Sequence, residues 1–544
     1  MAVLTRPGVY VDQSAFPTYV SATPGTASAC FIGMCPRGPL TPTVVSSWKA
    51  FVSNYGGFET AYAPSQLHLA VYSYFSAGGT SAVIIRMTTA ASPPVAATKM
   101  LNDSATGTPK ATLQVVADNP GQWGNNVFVD ITPGTLLNPT APAGSQVLSF
   151  NIVVHYCPPA VAGGPPGTPG PANIVEVWPD VSMVATSMNA GINNYALNVV
   201  NSPYTGSNYI TLVDQHSTTA APANNPATVN GLQLSGGLDG STPAAPPANA
   251  PTPQPTDFQN AFALLNQFPD QPFVINLCGQ WDPTVTGPIV GLAQTRGDCF
   301  VVLDCPPAYT PTAMAAWAIN LGRSEKAAVY YPQVIISDPY SPNAGVTRTV
   351  APGGYVVGTY IATDLNRGVA KAPAGLGTSL LGVYGVEATG VLTNVDMGNL
   401  NQSMVNCLIS VPGSGVVVWG ARTLSQYLVT RYVPVTRTLI YLSTQLAAMT
   451  KFAVFEPNDW VLWNLITSVI SQFLGAFWQS GGLSGTSASQ AYYVTCDSTN
   501  NTPQSIQNGI VNVEVGVSLE YPAEFVVIKI GQWAGGQTVS VSTS

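Results

Sequence analysis

The chain has 544 residues, enough for three or four domains at roughly 100 to 200 residues each. Charged residues make up 8% of it, against about 25% in an average soluble domain, while mean hydropathy is only +0.22, so neutral polar side chains must cover the surface. Seventeen basic against twenty-five acidic residues give −8, the wrong sign for a protein that tracks phosphates, which excludes nucleic acid as a direct partner.

A lone soluble subunit normally keeps a dense mixed-charge surface. Two readings of the charge poverty stay open: surfaces covered by other subunits, or a compositional bias of the source. The opening MAVLTRPGVYVDQ lacks the apolar core of a signal peptide, and no run of 18 apolar residues occurs, so synthesis in the cytoplasm with no membrane partner is the expectation. Arg6 to Gln13 reads as an extended segment with Val9 and Val11 on one side and Tyr10 on the other. It has no hairpin partner nearby and must pair at long range, within the chain or with another molecule.

ACFIGMCPRGPL (Ala29 to Leu40) reads as a buried strand and turn, Ser47 caps a helix from Trp48, and Gly56-Gly57 stops it. Leu67, Ala70, Val71, Tyr74 and Phe75 recur at helical spacing before a strand in GGTSAVIIRM, which completes one β-α-α-β unit. From about Ala96 the texture becomes strands between Pro, Gly and Asn turns: ATLQVVA, VFVDIT, QVLSFNIVVHY, NIVEVW and YITLVD. That pattern predicts an antiparallel β-sandwich. CPPAVAGGPPGTPGP (Cys157 to Pro171) reads as a hairpin tip or loop, and STPAAPPANAPTPQPT (Ser241 to Thr256) as a stiff linker.

Next come a helix with Phe258, Ala261, Phe262 and Leu265 in register, strands FVINLC and CFVVLDC, a helix from Pro311 to Gly322, and a strand in AAVYYPQVII. All-apolar strands alternating with helices mean an α/β layer with a largely parallel sheet, into which the β-sandwich is inserted. Near the end, Pro457-Asn458-Asp459 introduces an amphipathic helix carrying Val461, Leu462, Leu465, Ile466, Val469, Ile470, Phe473, Leu474 and Phe477. We read it as amphipathic and not as a membrane span. Thr502-Pro503 opens a short helix that Gly509 closes, Val511 to Leu519 alternate as a strand with one wet face, and FVVIKI after Tyr521-Pro522 reads as its neighbour. The module is thus helix, strand, short helix and two strands, followed by a flexible AGGQ link and a second free strand, VSVSTS (Val539 to Ser544).

The EPND start, the CDSTNNTPQSIQNG turn and the PAEFVVIKI ending closely resemble the C-terminal domain of tail sheath proteins from contractile bacteriophages. FIGMCPRGP, FSAGGTSAVIIRM, NPGQWGNN, LSGGLDG, VAPGGYVVGTYIATDLNRGVAKAPAG and VPGSGVVVWGARTL carry the same resemblance, in order, along nearly the whole chain. One departure is charge: the family's long C-terminal helix is commonly rich in acidic and basic residues, whereas here Asp459 stands alone.

The resemblance implies a multidomain protein of the α+β and α/β classes, with an arm at 1–20, a discontinuous α/β domain at 21–95 and 236–395, an outer β-sandwich at 96–235, an inner C-terminal α+β domain at 396–533 and a second arm at 534–544. It implies a homo-oligomer of stacked hexameric rings forming a helical sheath, with an inner tube protein, baseplate and tail terminator proteins as partners. The terminal strands, with Val9, Tyr10, Val11, Val539 and Val541, would join a neighbour's sheet built around Val513, Val515, Val517, Phe525 and Val527.

Catalytic chemistry finds little support. His68, His155 and His216 stand alone without a HExxH frame, the eight cysteines lack CxxC spacing and read as buried free thiols, and GLGTSLLG (Gly375 to Gly382) lacks the Lys-Ser/Thr ending of a phosphate loop. The family's α/β domain resembles subtilisin in fold, but no matching Asp, His and Ser phrases occur. No catalytic residue, cofactor or metal is assigned. Asp364, Arg367 and Lys371 form a candidate structural ion cluster. The competing readings are a capsid or surface-array protein and a hydrolase on the α/β layer.

Overall fold

The computed structural model describes residues 27–59, 65–88, 94–136, 148–160, 164–239, 254–269, 271–525, 533–534 and 537–538. The predicted strands at Val9, Tyr10 and Val11 and at Val539 and Val541 lie outside these residues, as do Val527 and most of the proline-rich linker. The linker's last two residues, Pro255 and Thr256, belong to the helix Pro255–Ala263, where proline fits the first turn because no amide is needed there.

Among the described residues the largest sheet has eight strands, in the order Thr43–Val45, Ala82–Arg86, Ser28–Gly33, Phe273–Asn276, Cys299–Asp304, Ala327–Tyr331, Val405–Val411 and Gly415–Val418. Its six inner strands run parallel, and the outermost strand at each edge is antiparallel. The strands are apolar at successive positions because both faces are covered. Phe31, Val274, Phe300 and Tyr330 join one core with Leu67, Val71 and Val356 from the helices Gln66–Ser76 and Gly353–Arg367. Ile32, Ile275, Val301 and Val329 join another with Phe258, Ile289 and Met314 from the helices Pro255–Ala263, Pro283–Arg296 and Pro311–Ala318. Burial of each such side chain stabilises the fold by about 1.5 to 3 kcal/mol.

The chain leaves this sheet after Arg86 and returns at Phe273. Between them, among the described residues, lie two larger antiparallel sheets, one of Thr98–Asn102, Ala111–Ala117 and Ile210–Asp214, the other of Val127–Pro133, Phe150–Tyr156, Ile174–Val181 and Val229–Gln233, and a small pair of Met188–Asn189 and Ile192–Asn193. Leu113, Val115, Val129, Ile131, Ile152 and Val154 alternate inward from both sheets and enclose Trp123. Arg37, from the α/β side, is buried against this insert with its guanidinium 4.1 Å from the Tyr209 ring centre.

Four local readings need correction. The helix Pro283–Arg296 was not anticipated, because Pro283, Gly287, Pro288 and Gly291 obscure the Val285, Ile289 and Ala293 stripe that it buries. AAVYYPQVII is not one strand: Ala327–Tyr331 stays in the large sheet, while Val334–Ser337 pairs between Thr347–Val350 and Val383–Val386. Pro332, with no amide to donate, sits at the break. The alternation Val511 to Leu519 yields a strand only at Glu514–Val517, since the buried Asn501 side chain takes Asn512 instead, accepting from its amide at 2.6 Å and donating to its carbonyl at 3.0 Å. The two ends of the AGGQ link, Ala534 and Gln537, lie in paired strands, Trp533–Ala534 antiparallel with Gln537–Thr538.

Candidate inter-subunit site

The C-terminal module is built on the helix Trp460–Gln479. Asp459 starts it by accepting from the amides of Val461 and Leu462 at 2.9 and 3.1 Å. Asn458 bridges to the rest of the module, accepting from the Trp463 indole at 2.8 Å and donating to the Ile510 carbonyl at 3.0 Å. Leu462, Ile466, Ile470, Leu474 and Phe477 are buried with Tyr441, Leu483 and Val517. The apolar stripe is wider than that core, so Val461 and Leu465 stay 53% and 50% exposed, beside Trp460 at 68%. By length and composition this helix is apolar enough to cross a membrane, yet one of its faces is committed to protein.

Tyr492–Thr495 and Glu514–Val517 form an antiparallel pair, with Tyr492 opposite Val517 and Val494 opposite Val515. Among the described residues no third strand flanks either of them, so each leaves one row of ladder groups without a strand beside it. Of the predicted acceptor residues, Val515 and Val517 lie in this pair, Val513 precedes it half-buried, and Phe525 is 73% exposed outside any strand.

Between this module and the α/β body runs a groove of about 780 Å³, with Arg367 and Lys371 on one wall, Trp419 and Tyr432 along it, and Tyr521 and Glu524 on the other wall. The predicted ion cluster is divided. Asp364 turns inward to a different partner, Arg437 of the helix Val433–Met449, in a two-pronged pair buried on both sides. Burial opposes the Arg437 charge, and Asp364 outweighs it and holds the guanidinium's pKa above its ordinary value. The guanidinium also lies 4.7 Å from the Tyr360 ring centre, and Tyr360 shares a 2.6 Å hydroxyl bond with Tyr330. Lys371 donates to the Ala372 carbonyl at 2.8 Å, and burial followed by the nearby Arg367 charge pushes its pKa down.

In open α/β sheets ligands bind beyond the carboxyl ends of the strands. Here that crevice is filled. Asp304 accepts from the Gly353 amide at 2.6 Å, from the Gly279 amide at 2.9 Å and from the Asn276 side chain at 2.9 Å. A methyl group on Gly353 would meet the Asn276 amide nitrogen at 2.1 Å. Asp304 therefore caps the helix Gly353–Arg367, and burial raises its pKa.

The histidines sit on separate elements. His68 is buried between the Ser65 hydroxyl at 2.7 Å and the Gly56 carbonyl at 3.2 Å, and desolvation pushes its pKa down to about 4. His155 meets Asp130 at 2.8 Å, and His216 is exposed. All eight cysteines are free and all but Cys35 are buried. Among the described residues no three His, Cys, Asp or Glu side chains come together as a metal site.

Residues 429–531, which span the Val433 and Trp460 helices and the two-stranded pair, match the family model for the phage tail sheath C-terminal domain. Over those residues the chain is similar to a phage tail sheath C-terminal domain. The fold is also similar to solved sheath proteins over most or nearly all of the chain. The contracted helical sheath of the anti-feeding prophage aligns with 97% of this chain and 100% of its own, at 19% identity and a TM-score of 0.54. The sheath of the extracellular contractile injection system PVC aligns with 98% and 99%, at 18% identity and a TM-score of 0.53. A sheath tail protein from Listeria innocua aligns with 88% and 90%, at 13% identity and a TM-score of 0.56. No curated protein matches the sequence.

Sequence reasoning missed Arg437, Arg422 and Glu524, the charged residues that hold the sheath domain to the α/β body. A signal was present. In a chain with 8% charge, a lone arginine inside an apolar helical run such as VPVTRTLIYL has to be paired if it is buried.

Proposed function

We propose that this protein is the structural subunit of a contractile sheath, polymerising helically around an inner tube and shortening to drive that tube through a target envelope. The observation that carries the reading is the sheath C-terminal domain within a chain whose whole length follows the fold of sheath subunits. The scarcity of charge supports it, since neutral surfaces suit permanent contact with other copies. In this reading 21–95 and 236–395 form the α/β middle domain, 96–235 the outer domain and 396–533 the inner one, with arms at 1–20 and 534–544 crossing between subunits. The boundary at 396 moves later, because Val405–Val411 and Gly415–Val418 complete the large sheet of the α/β body.

Each arm adds a strand to the open pair at Tyr492–Thr495 and Glu514–Val517 of a neighbour. Backbone hydrogen bonds of that kind survive large rigid-body rotations, so the mesh keeps its connections while domains repack. The extended lattice is kinetically held, and contraction proceeds to better packing without nucleotide or catalysis. About 1 kcal/mol per subunit suffices when summed over a long polymer. The subunit needs no cofactor. Its partners are other copies, a tube protein, and baseplate and terminator proteins. The assembly is a virion tail for genome ejection or a phage-derived injection device.

The test is electron microscopy of purified polymer, where a hollow helical cylinder is expected. Flat lattices or closed shells would favour a surface-array or capsid protein. Chains lacking Met1 to Gln13, or everything after Trp533, are expected to stay folded and soluble without polymerising. Cylinders from both truncations would defeat the arms.

A further inference from the structure

Two charged clasps join the sheath domain to the α/β body, and they differ in accessibility. The Asp364–Arg437 pair is sealed, with side chains 0% and 2% exposed. In the Arg422–Glu524 pair Glu524 lines the groove, and the side chains are 10% and 21% exposed.

Glu524 is held from three directions. Arg422 donates to Oε2 at 2.6 Å, the Tyr432 hydroxyl donates to the same oxygen at 3.0 Å, and Asn401 donates to Oε1 at 3.0 Å. The donors are themselves fixed. Arg422 donates to the Asn401 carbonyl at 3.0 Å, and its backbone is gripped on both sides by the Asn406 side chain at 2.6 and 2.7 Å. Residues 422 and 432 are bridged by backbone pairing, and the Tyr432 ring meets Tyr521 edge-on at 6.3 Å. The segment that Glu524 belongs to has no comparable backbone support. After the bridge between Leu483 and Leu519, no backbone hydrogen bond among the described residues holds 520–525. Side chains set its course, and a carboxylate accepting three donors in a preorganised socket is the strongest of these contacts.

We propose that Glu524 is a positioning residue, clasped in a socket of Arg422, Asn401 and Tyr432, that fixes residues 520–525, the stretch that leads towards the arm at 534–544. The inference rests on the reading that this arm crosses to another copy. An arm pays the ordering entropy of its root each time it docks, and a clasped root has lost that freedom beforehand, which favours assembly.

The full-length chain, Glu524→Ala, Arg422→Met, the charge-reversed pair Arg422→Glu with Glu524→Arg, and a chain ending at Trp533 are compared by sedimentation for the critical concentration of polymerisation. Circular dichroism melts of the soluble subunits accompany them. The single variants are expected to melt only a few degrees below the parent and to need about tenfold more protein to polymerise, with the reversed pair restoring most of the loss. Chymotryptic cleavage after Phe525 in the soluble Glu524→Gln subunit is expected to quicken by about tenfold. Assembly of the chain ending at Trp533 at the parent concentration would sink the crossing reading itself. If that chain fails to assemble while Glu524→Ala assembles as the parent does, the clasp alone is wrong. Loss of the folded subunit on Glu524→Gln would also overturn it, by placing Glu524 in the folding core.

Discussion

The α/β body and the sheath domain are made of similar residues and finish their business differently. In the body, six parallel strands are flanked by antiparallel edge strands, helices cover both faces, and the crevice at the strand ends is closed by Asp304, Asn276 and the Gly353 helix. In the sheath domain a two-stranded pair has no third strand beside it among the described residues, and a 20-residue helix hides one side while Val461 and Leu465 face out. The body buries nearly all of its inner strands between two helical layers. The other region, among the described residues, has both a strand pair without a third strand and a half-exposed apolar helix face on one module, which is where the proposed attachment points lie.

The joint between the two regions should give the largest response to mutation. Arg437→Ala removes the guanidinium that pairs with the buried Asp364 carboxylate, and a loss of about 3 to 5 kcal/mol in the denaturant unfolding of the subunit is expected. Replacing both members by apolar residues of similar size should recover most of it. A double variant as unstable as the single one would mean that the pair is not what joins the regions.

Within the sheath domain, Ile470→Ala should cost the subunit about 2 to 5 kcal/mol, because Ile470 is 2% exposed in the module's core. Leu465→Ala, one turn away on the open face, should change it by no more than about 0.5 kcal/mol while weakening the polymer. Equal losses at both positions would erase the contrast between covered and open faces.

A smaller effect probes the closed region by pH. Burial depresses the His68 pKa from 6.5 to about 4, so the folded body favours the neutral ring while the unfolded chain takes up a proton below pH 6.5. The stabilisation is full above pH 6.5 and is lost as pH falls towards 4, at about 1.4 kcal/mol per pH unit. Comparison of parent and His68→Gln melts between pH 7 and pH 5 should show that slope removed by the substitution. Parallel slopes would place the ring in contact with solvent.

Much of the body was legible because its signals are local. FVINLC and CFVVLDC have no polar face to hide, the Ser47 and Asp459 caps sit one residue before their helices, and the turn-separated strands from Ala96 onward alternate cleanly. What failed was of two kinds. Proline and glycine concealed the Pro283–Arg296 helix, whose stability comes from packing against strands distant in sequence. Side chains also displaced backbone pairing, as Asn501 does at Asn512, and no periodicity reveals that substitution. The candidate site was legible as a module and not as contacts. Asp364 was picked out by its rarity, but its partner Arg437 is supplied by a helix 73 positions along the chain.

The account stands on the open pair being completed by other copies. Hydrogen exchange at the amides of Tyr492–Thr495 and Glu514–Val517, compared between free subunits and assembled polymer, tests this most directly. Protection should rise sharply on assembly in these two strands and stay unchanged at Val301 and Val302 in the interior of the large sheet. A polymer in which the two strands exchange as fast as they do in the free subunit would contradict it.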